Sequence, residues 1–289
     1  SRGQEVKVYA PGERMASRKY DGPGVGDMAR AMIYGPRDDV ERRALNEGTD
    51  SAGGYTVPEK LAAEWIDRLR AKTVVTQAGA RTVIMESDNL NIARVATDPT
   101  VTWTAENAET TASDPTFESV RLSPVKLTTL VKVSREVLED SVNIADILDT
   151  AIMNAMAVEM DRAFLFGSGA SNEPTGLFNI AGINSKSMGT NGATPSSYDE
   201  LCDAVYEVLL DNADYPKHAI MHPRTWVTYN KLKDGNGMPL VSPPMLQQIK
   251  SLMTTAVPIT QTQGTASGVC STVLLGDFSR FMIGMRTSV

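Results

Sequence analysis

Between Asn143 and Phe166 the chain runs without a Gly or a Pro, and apolar residues recur at helical spacing. Ile144, Ile147, Leu148, Ile152, Ala155, Met156, Ala163 and Phe164 carry the pattern. The spacing predicts one helix over 143–166, with Asn143 as its cap and Asp146 in the first turn complementing the dipole. Gly167 stands where glycine commonly ends a helix. At its ordinary rise per residue this helix is a rod of roughly 35 Å. So long a rod predicts an elongated domain.

The segments before the rod point the same way. Asn91 to Ala96 reads as a strand that resumes at Val101-Thr102-Trp103. Alternation at Val125, Leu127, Thr129, Val131 and Val133 predicts a second strand. Between them lies a polar tip, 104–115, so the two strands form a long hairpin. A two-stranded ribbon is marginal alone in water and wants a partner surface. Pro58 opens a helix to about residue 72, whose apolar face is Leu61, Trp65, Ile66 and Leu69. Residues 1–56 are rich in breakers and charge, with one short helix expected around 26–33. They read as an extended arm with little core of its own, ordered only by lying across a neighbour.

After the rod comes Gly167-Ser168-Gly169, closing at Pro174-Thr175-Gly176. This glycine-rich loop follows a helix instead of opening one and lacks a Gly-Lys-Ser/Thr ending, so it reads as a turn and not as a phosphate cradle. Ser197 and Glu200 have capping-box spacing and start a helix to about residue 210, with Leu201, Val205, Val208 and Leu209 inward. A strand at Ala219-Ile220-Met221, a helix over 223–232 and a turn at Asp234-Gly235-Asn236-Gly237 follow. A helix over 245–253 is expected next, then strands at Val257-Pro258-Ile259, at 272–275 and at 280–285. Residues 197–278 thus read as a second, compact α/β unit.

Several function classes are disfavoured. Across 289 residues the formal net charge is −7, which argues against a dedicated nucleic-acid binder. No apolar run is long enough to span a bilayer as a helix. His218 and His222 are spaced i, i+4, but Pro223 pushes His222 out of a helical conformation, against a metal pair. Cys202 and Cys270 read as two buried thiols. No Gly-x-Ser-x-Gly elbow is present. The acid pairs Glu139-Asp140 and Glu159/Asp161 read as solvated helix faces, and Glu106, Glu109 and Asp114 at the hairpin tip fit no calcium loop. No catalytic, cofactor-binding or metal-ligating residue is expected, and no cofactor.

What remains is an order of segments: arm, long hairpin, long helix, glycine-rich turn, α/β unit. The carrying motifs are the run from Leu45-Asn46-Glu47-Gly48 through Gly53-Gly54-Tyr55-Thr56-Val57-Pro58, then Ser134-Arg135-Glu136-Val137-Leu138-Glu139-Asp140-Ser141. Phe166-Gly167-Ser168-Gly169 through Pro174-Thr175-Gly176-Leu177, the His222-Pro223-Arg224-Thr225-Trp226 junction and the Leu232-Lys233-Asp234-Gly235-Asn236-Gly237 turn follow. In this order, over roughly residues 45–285, the chain resembles the major capsid proteins of tailed phages and prophages of the Hong Kong 97 type.

The resemblance implies an α+β fold with an N-terminal arm (1–56), an N-terminal helix and part of a peripheral domain (57–80), and an extended loop with its root (81–133). It further implies a peripheral domain holding the spine helix (134–196), an α/β axial domain (197–278), and a return segment (279–289) that stops short. It implies a structural protein, not an enzyme, that self-assembles into hexamers and pentamers of an icosahedral head around double-stranded DNA held by confinement. The partners implied are further copies of the chain, with portal, scaffold or maturation protease during assembly and no membrane. Its place is the virion, assembled in the host bacterial cytoplasm. An encapsulin-type compartment shell is the alternative, and an α/β enzyme a more remote one. Two departures stand out. The tip 104–115 contains no Lys, against the isopeptide cross-link of some family members. The sequence also stops at Val289, where the family continues past the last axial strand and returns to pair beside the spine helix, so a lost, disordered or omitted C-terminal segment is expected.

Overall fold

The long helix forms as its pattern requires. It is α3, Ile144–Phe166. The computed structural model describes residues 7–15, 27, 31, 35–42, 59–85, 89–97, 101, 103, 116–132 and 144–286; the side chains of 59–65, 96–97 and 144–146 are left aside. Asn143, and the side chain of Asp146, therefore lie outside the described residues. On α3 the buried stripe is Met153, Ala157, Asp161 and Leu165, one position per turn. Ile147 and Val158 point outward, and Ala155 is exposed as well. A helix this apolar on every side does not reveal its inward face from composition alone.

Helix α1, Glu59–Lys72, crosses α3, and a short helix α2, Val74–Gln77, follows. Leu69 is buried and Ile66 half-buried; Leu61 and Trp65 lie outside the described side chains. Strand β2, Arg81–Ile84, then lies at the centre of a three-stranded sheet. Its antiparallel neighbour is β1, Val8–Tyr9, and its parallel neighbour is β10, Met282–Met285. The expectation that the leading segment is ordered only on a neighbour fails for residues 7–15, which pack on their own chain. The end of the chain also returns to β2, and Ile283 is in the main core.

Strands β3, Leu90–Thr97, and β4, Thr116–Leu122, form the ribbon. The first strand covers the predicted Asn91–Ala96, but Val101 and Trp103, read as its resumption, lie in no strand. The second lies upstream of the prediction: residues 123–132 are extended but belong to no strand among the described residues. Register is set by pairing Leu90 with Leu122, so the partner of β3 had to be the segment closest to it across the tip.

The α/β unit holds helix α4, Asp199–Leu210, strand β5, His218–Met221, helix α5, Pro223–Asn230, and helix α6, Pro244–Gln247. Strands β6, Lys250–Met253, and β9, Leu274–Gly276, flank β5. A hairpin of β7, Gln261–Gln263, and β8, Ala266–Cys270, which the sequence reading missed, projects from it. Residues 250–253, expected in a helix, are a strand instead, because β5 recruits them as a parallel neighbour. Val257-Pro258-Ile259 is not a strand; Val257 is a buried bend in the core. The capping box is not made either: Ser197 Oγ accepts the Asp199 N–H, and Tyr198 is the cap position without a side-chain bond. Leu209, expected inward, is exposed, while Val205 is fully buried.

Two cores sit on the two faces of the β6–β5–β9 sheet. Ile220, Leu252 and Leu274 pack with Val75, Ala78, Leu165 and Phe278. On the other face Ala219 and Met221 pack with Val205 and Ile249. The sheet of the α/β unit therefore shares its larger core with α2 and the end of the rod.

Candidate assembly surface

The ribbon gains little from itself. One face carries Asn91, Ala93 and Val95 opposite Arg121, Ser119 and Phe117; the other carries Leu90, Ile92 and Arg94 opposite Leu122, Val120 and Glu118. Val95 and Phe117 are 52% and 70% exposed although directly paired. Arg94 Nη2 meets Glu118 Oε2 at 2.6 Å, but both side chains are more than half exposed, so the pair adds little. Every residue of β4 except Leu122 is exposed. Beyond it, Val125, Leu127, Leu130 and Val131 are also exposed, so apolar surface continues along an extended segment with neither face covered by the described residues.

The ribbon joins the body at a small contact. Leu122 and Met85 lie over Gly284 of β10, where an added Cβ would stand 2.7 Å from Met85 Sδ. β2 leads straight into this root, so the orientation of the ribbon is set by the sheet that carries β1 and β10.

In the body, a buried carboxylate links segments far apart in the chain. Asp161 of α3 is 3% exposed, and its carboxylate accepts the N–H groups of Val74 and Val75, at 2.9 and 3.1 Å. It ties the first turn of α2 to the rod and supplies the cap that Thr73 does not. Burial pushes its carboxyl above the ordinary value, and the two N–H groups pull the other way. The sequence reading placed Asp161 on a solvated face; its partner lies 87 positions away and leaves no local signature.

At the far end of α3 the glycine-rich turn folds back on the helix. Gly176 donates to Gly167 O at 2.8 Å, and a Cβ on Gly176 would stand 2.3 Å from Gly167 N. Ser171 and Asn172 have positive φ at the tip of the turn. Asn179 Nδ2 donates to the carbonyls of Gly167 and Phe166 and so satisfies the helix end. The turn's donors are consumed internally: Ser168 gives both its N–H and its hydroxyl to Glu173, at 2.9 and 2.7 Å. Arg162 joins Glu159 and Glu173 across the helix end. The Ser168 N–H, the Ser168 hydroxyl and the Arg162 guanidinium together hold the Glu173 carboxyl down to about 2.

Among the residues weighed as chemical candidates, His218 begins β5 and His222 caps α5, where its Nδ1 accepts the Arg224 N–H at 3.0 Å. That use of the ring fits a helix cap. Cys202 and Cys270 are both half-buried free thiols. Glu139-Asp140 and the tip acids Glu106, Glu109 and Asp114 lie outside the described residues.

A body packed against one stripe of α3, with a ribbon that the described residues leave uncovered, is the geometry against which the comparisons stand. The profile of the Phage capsid family matches residues 53–289. The chain belongs to the phage capsid family. Its role is structural, that of a capsid shell subunit. The major capsid protein of Klebsiella oxytoca phage phiKO2 is 25% identical over 92% of this capsid chain and 67% of that protein. The major capsid protein of Halomonas phage phiHAP-1 is also 25% identical, over 57% of this chain and 27% of that protein. The chain thus spans about two thirds of the first relative and about a quarter of the second.

Among solved structures, the capsid of an empty GTA particle superposes with a TM-score of 0.59 at 20% identity, over 74% of this chain and 76% of that one. The Mycobacterium phage Bobi structure gives 0.55 at 18% identity, over 73% and 71%. At such identities the likeness establishes the fold, the α+β capsid fold of the Hong Kong 97 type. None of these likenesses favours an encapsulin.

Proposed function

We propose that this capsid chain assembles with further copies of itself into hexamers and pentamers of a closed icosahedral shell around double-stranded DNA. The observation that carries the reading is the ribbon. It exposes apolar side chains on both faces, and the described residues of its own chain cover neither. A neighbouring copy is the partner that a shell supplies in quantity. Many modest contacts repeated around each subunit are enough to hold such an assembly.

In this reading residues 81–133 are the extended loop and its root, 57–80 and 134–196 the peripheral part around the spine helix, and 197–278 the axial part at the centre of each hexamer or pentamer. Residues 1–56 are the arm and 279–289 the return segment. The net charge of −7 fits DNA held by confinement instead of by affinity. Portal, scaffold and maturation protease are the partners of assembly, which takes place in the host cytoplasm, and the chain performs no catalysis of its own.

Deleting residues 104–115 tests the reading. The shortened chain should stay folded by circular dichroism and elute as small species with no particles in electron micrographs. Normal closed shells from the deletion would refute it.

A further inference from the structure

The chain contains two Asn-Gly pairs, Asn191-Gly192 and Asn236-Gly237. In such a pair the asparagine amide carbon stands next to a main-chain nitrogen that no side chain shields, because glycine has none. The pairs are alike in sequence, and the fold treats them differently.

Asn236 sits in the turn that closes the loop after α5, and residues 233–239 are all exposed. The Asp234 N–H donates to the Met238 carbonyl at 2.9 Å, and the Gly237 N–H donates to the Asp234 carbonyl at 3.0 Å. Asp234 Oδ1 accepts the N–H groups of Asn236 and Met238, at 2.9 and 2.8 Å. These bonds fix the main chain and leave out the Asn236 side-chain amide, which no described residue holds. Gly237 has a φ of 80°, with open space where a Cβ would stand. A turn held by surface hydrogen bonds alone opens locally at little cost, which frees the Gly237 nitrogen.

The Asn191 amide is held. Its Oδ1 accepts the Thr265 N–H at 2.9 Å, and Gly264 passes so close that a Cβ there would stand 2.4 Å from the same oxygen. Gly192 lies against Cys270 and Gln263, where a Cβ would stand 3.2 Å from Cys270 Sγ. Turning the Asn191 amide carbon toward the Gly192 nitrogen requires the β7–β8 hairpin to move first.

We infer that Asn236 is a site of spontaneous covalent modification, converted through a cyclic imide to aspartate and isoaspartate, and that the β7–β8 hairpin shields Asn191 from the same change. The Gly237 nitrogen gives its proton to hydroxide and bonds to Asn236 Cγ; the Cγ–Nδ2 bond breaks and ammonia leaves. Water then opens the imide at either carbonyl. The sum is amide plus water giving carboxylic acid plus ammonia, with nothing oxidised or reduced. Opening at the main-chain carbonyl gives isoaspartate, which routes the backbone through the former side chain and inserts a methylene into the turn. Both products add a carboxylate beside Asp234.

The test uses the full, unassembled chain, so it is independent of the shell reading. The chain is kept in mildly alkaline buffer, folded in one arm and in guanidinium chloride in the other, and its tryptic peptides are followed by mass spectrometry. Lys217 and Lys233 lie between the sites, so trypsin separates them. In the folded arm Asn236 should convert about tenfold faster than Asn191 or more, and in denaturant the rates should converge. Equal rates in the folded arm would overturn the shielding of Asn191. An Asn236 that reacts in denaturant but not when folded would overturn the site. Direct hydrolysis of the amide yields aspartate alone, so a product without isoaspartate refutes the imide route. Gly264→Ala places a methyl against the Thr190 carbonyl and Asn191 Oδ1, and should raise the Asn191 rate in a chain still folded by circular dichroism. An unchanged rate in that variant refutes the role of the hairpin. If the variant does not fold, the parent comparison decides the proposal alone.

Discussion

Replacing Phe117 with Ala tests whether the ribbon works by being covered. The ring is 70% exposed and faces Val95 across the ribbon. An aromatic side chain buries about 150–250 Å² when fully covered. Covering the exposed share therefore removes on the order of 100 Å² or more of apolar surface, or about 2.5 kcal/mol at 25 cal/mol per Å². Ala keeps a minor part of that, so each contact should weaken by about 2 kcal/mol, which is roughly a 30-fold change in an equilibrium constant. The assay is the threshold concentration for particle formation, followed by light scattering and confirmed by electron microscopy. Urea unfolding of the unassembled chain is the control. The threshold should rise by one to two orders of magnitude while the urea midpoint stays within error, because little of the ring is buried in the single chain. An unchanged threshold would refute the claim that this surface is an interface. A lowered urea midpoint with an unchanged threshold would assign Phe117 to the fold of the ribbon alone.

Asp161→Ala should destabilise the chain by about 2–4 kcal/mol in urea unfolding, because the Val74 and Val75 N–H groups lose their acceptor. Asp161→Asn should cost less, since an amide oxygen still accepts. Gly176→Ala should cost at least about 2 kcal/mol, because the new methyl would meet the backbone of Gly167, Phe166 and Leu165 and no flexible side chain can yield. The Glu173 carboxyl, ordinarily near 4.5, sits at about 2 in the folded chain. Its ionised form therefore favours the folded state in full above the ordinary value, and that contribution is lost as pH falls from about 4.5 toward 2. Urea midpoints of the parent and Glu173→Gln should converge across that window, and a constant gap would refute the assignment.

The parts legible in the sequence are those decided within one element. The rod is one, because twenty or more consecutive helix-compatible residues leave no competing structure. The Pro223 start of α5 and the Asp234–Gly237 turn are others; there Asp234 Oδ1 accepts the Asn236 and Met238 N–H groups. What escaped depends on partners distant in the chain. Residues 125–133 alternate more cleanly than Thr116–Leu122, yet the latter is the strand, since pairing with β3 decides it. Lys250–Met253 is a strand because β5 accepts it in parallel across a helical crossover. Residues 7–15 left no hydrophobic pattern to read, because Arg70 donates to the Ala10 and Glu13 carbonyls and Asp67 accepts the Met15 N–H. For the assembly surface, the hairpin and its need for a partner were visible as unshared alternation, while Val95 and Phe117 emerged as its exposed pair only once the register was known.

β2 is flanked on one side by residues 8–9 and on the other by residues 282–285. During synthesis this strand leaves the ribosome long before its parallel neighbour exists, and the ribbon it leads into has no finished base until then. A nascent chain therefore lacks the complete three-stranded base of the ribbon until β10 has been translated. The clasp between strands so far apart in sequence acts as a timer on competence as well as a brace.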